Sequence, residues 1–106
     1  MARYSAEQQA AISAYFDNDA AIFSSFEQAV MAELGNDLRR AATACSDHDF
    51  NALHRVVHTL KSVLLTLGLP ALSAQAAAIE AEAVARRAAT WALWPALRDA
   101  LVALRG

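Results

Sequence analysis

The chain has 106 residues, a length suited to one domain with a single modest core. Alanine abounds while glycine (3) and proline (2) are scarce, which favours helix nearly throughout, and a net charge of −2 argues against nucleic-acid binding. The lone cysteine, Cys45, cannot form an internal disulfide, as expected in a reducing compartment such as the cytoplasm.

In chain order, Ser5-x-x-Gln8 reads as a capping box opening a short helix through about Phe16. Asp17-Asn18-Asp19 makes a turn, with Asn18 or Asp19 capping a second helix. That helix sets Phe23, Phe26, Val30, Leu34, Leu38, Ala41 and Cys45 on one face, with a kink or break expected at Gly35-Asn36. After the turn Ser46-Asp47-His48-Asp49, a third helix carries Phe50, Leu53, Val57, Leu60, Leu64 and Leu67 at helical spacing and stops at Gly68. Pro70 starts a fourth helix running to about Ala88, with Leu72, Ala76, Ile79 and Ala83 in register. A fifth contains Trp94, Leu97, Leu101 and Leu104. The expected fold is all-α: an antiparallel four-helix bundle with a short additional N-terminal helix, forming one domain over residues 1–106.

No targeting segment is visible near the start, and the apolar stretch 63–72 is too short to span a bilayer. Met1 favours a free-standing protein over a piece of a larger kinase. Charge is uneven: residues 1–49 hold three Lys/Arg against eight Asp/Glu, and residues 50–106 hold six against three. The more basic half suits an acidic partner.

The third helix holds the candidate chemistry. At 100° per residue, His58 lies about 130° from the centre of the apolar stripe and Lys61 about 70° from it on the same flank. An exposed imidazole with an ammonium one turn away suits a phosphoryl carrier. The imidazole is substantially neutral near pH 7, the lysine favours that neutral form, and its ammonium can bind phosphate oxygens.

His58-Thr59-Leu60-Lys61-Ser62, followed after five residues by Gly68, resembles the His-x-Leu-Lys-Gly-(x5)-Gly core of histidine-containing phosphotransfer (HPt) domains. Asp49-Phe50-Asn51-Ala52-Leu53 is similar to the family's lead-in to its active helix, and Ile79-Glu80 to a Leu-Glu pair that the family often carries. Ser62 departs from the family's glycine. The resemblance implies a cytoplasmic phosphorelay intermediate that accepts phosphate on His58, with Lys61 stabilising it, and exchanges it with receiver aspartates. The implied partners are response-regulator receiver domains and a hybrid sensor histidine kinase, with Mg²⁺ on the receiver and no cofactor, membrane anchor or second subunit here. Ser62, Leu65, His54 and Arg55 surround His58 as candidate docking residues, and Gly68 is the structural element of the motif.

Two other readings compete. Cys45, His48, His54 and His58 have spacings seen in zinc sites, but Arg55 follows His54 where a metalloprotease has glutamate, so no metal is expected. A helical protein-interaction module without phosphotransfer would share the bundle and the Leu65 patch. An independent kinase is disfavoured because no glycine-rich nucleotide loop is present.

Overall fold

Helix caps and apolar seams dictate the architecture. In the computed structural model, which describes residues 3–106, Ser5 Oγ accepts the Gln8 amide while Gln8 Oε1 accepts the Ser5 amide. This capping box opens α1 (Ala6–Tyr15). Asp19 takes the amides of Ala21 and Ile22 to start α2 (Ala20–Ser46), and Asp49 takes that of Ala52 to start α3 (Phe50–Thr66). Pro70 is the first residue of α4 (Pro70–Val84), and α5 (Ala89–Arg105) completes the chain. Met1 and Ala2 lie outside the described residues, including the methionine on which the free-standing expectation rests.

The last four helices pack in a ring, α2 on α3, α3 on α4, α4 on α5 and α5 back on α2, with short turns that make neighbours antiparallel. The fold is therefore the expected helical bundle with an extra N-terminal helix. Its core is built from Leu34, Leu53, Val57, Leu60, Leu64, Ile79, Trp94, Leu97 and Leu101, each almost fully buried. The third-helix stripe predicted from spacing is thus the seam, and Phe50 stacks on Trp91 at its end. A smaller cluster of Tyr4, Ile12, Phe23 and Leu67 fixes α1 to one end.

Two boundaries differ from expectation. α2 runs unbroken through Gly35, which is buried where a Cβ would stand 3.2 Å from the Arg105 guanidinium. Packing along the long apolar face of α2 outweighs the roughly 1 kcal/mol helix penalty of this glycine. α4 ends at Val84, not Ala88. Arg86 adopts φ +56°, its amide reaching Ala83 O and that of Arg87 reaching Glu82 O, a Schellman closure without glycine. The same closure ends α2 at His48 (φ +51°) and α3 at Gly68 (φ +74°).

Candidate functional site

Gly68 does more than stop the helix. A Cβ there would lie 2.6 Å from Gln8 Cα and 2.9 Å from Glu7 O, so this turn sits directly against the start of α1. The contact sets the end of α3 that presents Leu65 and, two turns earlier, His58.

The His58 side chain is 61% exposed, in agreement with its position away from the seam. It is not simply bathed in water beside a free ammonium, as the sequence suggested. Glu80 on α4 reaches across the α3–α4 groove and gathers three residues of α3. Its Oε2 stands 2.5 Å from His58 Nδ1 and 3.4 Å from His54 Nε2, while its Oε1 accepts a hydrogen bond of 2.6 Å from Lys61 Nζ. The side chain of Glu80 is only 15% exposed, whereas that of Lys61 is 35% exposed. The Lys61 ammonium, first, and the imidazole of His58 hold the Glu80 carboxyl below its ordinary value of 4.5, against the opposing effect of burial.

This carboxylate selects an imidazole tautomer. Ionised, Glu80 can only accept, so His58 donates from Nδ1–H, and the neutral form of the ring keeps its lone pair on Nε2, which has no protein partner among the described residues. The ring is oriented by a fixed acceptor and offers a nucleophilic nitrogen on its other side.

His54 packs its ring over that of His58, the centroids 5.8 Å apart and the planes 23° from parallel. Arg55 is exposed but lies on the opposite flank, lining the α2–α3 groove with Glu33, Asp37 and Arg40. Ser62 is exposed one turn beyond His58. Leu65 is 47% exposed and borders a shallow depression with Ala11, Ala14, Tyr15 and Pro70, so its contacts run towards α1. Below the groove, the buried Ser73 hydroxyl donates to Lys61 O at 2.7 Å and ties α4 to the turn of α3 that carries the lysine.

The four-residue zinc constellation does not assemble. Cys45 packs against the core, where burial pushes its thiol up, and the His48 ring lies edge-on to Trp91. Sequence reasoning assigned Glu80 no contact in the site, because its link to His58 spans 22 residues and depends on the α3–α4 register. Its one signal was the position of Ile79-Glu80 on α4, with Ile79 buried and Glu80 next to it at the edge of the seam.

A comparison with protein-family models matches the Hpt domain over residues 25–106. No curated protein and no solved structure matches the chain. The matched segment contains most of α2 and all of α3, α4 and α5; α1 precedes it.

Proposed function

Because the chain belongs to the Hpt domain family, whose members carry phosphoryl groups on histidine in two-component signalling, we propose that His58 is the phosphoryl-accepting residue of a relay between receiver aspartates. The observation that carries this reading is the Glu80–His58 pair: an exposed imidazole whose Nδ1 is anchored and whose Nε2 has no partner among the described residues.

In the proposed step, the Nε2 lone pair attacks the phosphorus of a receiver's aspartyl phosphate. The N–P bond forms as the P–O bond breaks, and the electron pair leaves with the aspartate carboxylate. The Nδ1 proton stays in place, and the ionised Glu80 stabilises the positive charge that the ring gains during attack. Lys61 exchanges its contact with Glu80 for the incoming phosphoryl oxygens, a move its partial exposure permits. Return transfer to a second receiver reverses each step. The receiver supplies Mg²⁺, and this chain acts as a carrier without ATP-dependent kinase activity.

The proposed docking face combines Ser62 and Leu65 with His54 around His58, with Arg55 at its far edge. α1 belongs to the same working unit, since its first turn fills the space above Gly68. The protein is proposed to act as a monomer in the cytoplasm; no helix among the described residues is long and apolar enough to cross a membrane. Single-turnover transfer from a panel of phosphorylated receivers tests the reading. Transfer to the wild-type chain, with none to His58→Gln of equal helicity, is expected.

A further inference from the structure

The α3–α4 groove brings together a ligand set that no single segment of sequence contains. His54 and His58 stand one helical turn apart on α3, and Glu80 faces both from α4. One ligand atom from each lies within 4.8 Å of the others, the only such group of three or more His, Cys, Asp or Glu among the described residues. The geometry points to a surface site for a divalent transition-metal ion of the zinc class, held by His54 Nε2, His58 Nδ1 and Glu80 Oε2.

The distances fit this chemistry. Zinc binds imidazole nitrogen and carboxylate oxygen at about 2.0–2.2 Å, so ligand atoms around a tetrahedral ion stand about 3.4 Å apart. The separation of His54 Nε2 from Glu80 Oε2 is already 3.4 Å. That of His58 Nδ1 from Oε2 is 2.5 Å, a contact spanned by a proton, and it opens when the ion takes the proton's place. The exposed His58 ring has room for that rotation. Lys61 holds Oε1, so Glu80 arrives oriented and with one oxygen to give. Two imidazoles and one carboxylate favour zinc or copper over magnesium or calcium, and three protein ligands leave a fourth position for water. The neighbouring ammonium opposes a second cation, which makes this a reversible site, weaker than a closed structural one.

Coordination has a consequence for the imidazole. With Nδ1 bound to the ion, neutral His58 carries its single proton on Nε2, the nitrogen proposed as the nucleophile. The proton moves from one nitrogen to the other through water, and none is lost. Metal occupancy would therefore switch off phosphoryl acceptance. This consequence rests on the role proposed above for His58, whereas the binding site itself rests only on the three side chains.

The test is calorimetric titration of the full chain with zinc alone in a non-coordinating buffer, beside His54→Gln, Glu80→Gln and Cys45→Ser. The expected result is one equivalent bound by wild type and Cys45→Ser, with affinity at least tenfold weaker in the other two variants at unchanged helicity. Two-dimensional imidazole ¹H–¹⁵N spectra should show the His58 proton moving from Nδ1 to Nε2 as zinc is added. No saturable binding, or wild-type affinity in His54→Gln or Glu80→Gln, overturns the site. Saturable binding with the His58 proton left on Nδ1 overturns the switch. Neither failure touches phosphoryl acceptance measured in the presence of a chelator, which tests the carrier reading separately.

Discussion

Replacing Glu80 by glutamine removes the charge and one acceptor while keeping the shape. In the wild type, Oε2 serves His58 Nδ1 and Oε1 serves Lys61 Nζ. A glutamine has one oxygen for these two donors. If the oxygen turns to Lys61, the amide NH₂ faces His58 and favours the tautomer with its proton on Nε2, where no lone pair is left to attack. If it turns to His58, the tautomer survives but the ring loses its anionic partner as charge develops. Hydrogen bonds to charged groups contribute about 1.5–3 kcal/mol. Partial solvent access reduces this to about 1–2 kcal/mol, so single-turnover phosphorylation should slow by about 5- to 30-fold at neutral pH. Receiver affinity should change little, and imidazole ¹⁵N shifts should report a larger share of the Nε2–H form. A Glu80→Gln domain that accepts phosphate at the wild-type rate would refute the orienting role.

Lys61→Ala should slow transfer by roughly tenfold or more with receiver affinity nearly retained, because the ammonium acts on transferring charge. Leu65→Asp should weaken receiver binding by about tenfold, near 1.4 kcal/mol, without altering the thermal midpoint, since the side chain is 47% exposed; loss of folding, or unchanged affinity, would misplace the docking face. Gly68→Ala should cost about 2–4 kcal/mol in denaturant unfolding, combining a left-handed backbone with a Cβ driven against Gln8; wild-type stability would contradict the packing of α1. The depressed Glu80 pKa adds stability that is present above its ordinary value of 4.5 and lost as pH falls through the lower folded value. Melting curves from neutral to acidic pH should show that loss in wild type, and Glu80→Gln should lack it.

The bundle was legible because α2, α3 and α5 carry apolar residues at helical spacing and side-chain caps or glycine mark several ends. Exposure of His58 followed from the same periodicity. The end of α4 was hidden because Arg86 takes the left-handed position that glycine usually signals. Continuity at Gly35 rests on packing along the whole length of α2, which a local helix penalty does not reveal. Glu80 was the larger omission. Its partnership with His58, His54 and Lys61 requires the lateral and axial register of α4 on α3, which Ser73 and the buried faces establish and which local spacing does not encode. The same register converts an apparently free lysine into one already paired.

Locating the phosphoryl group is the most direct test of the central claim. The chain, incubated with a phosphorylated receiver and kept at neutral to alkaline pH, should gain one phosphoryl group by intact mass. Fragmentation should place it on His58, with ³¹P–¹H coupling assigning it to Nε2, and His58→Gln should gain none. A phosphoryl group on His48 or His54, or acceptance by His58→Gln, would contradict the account.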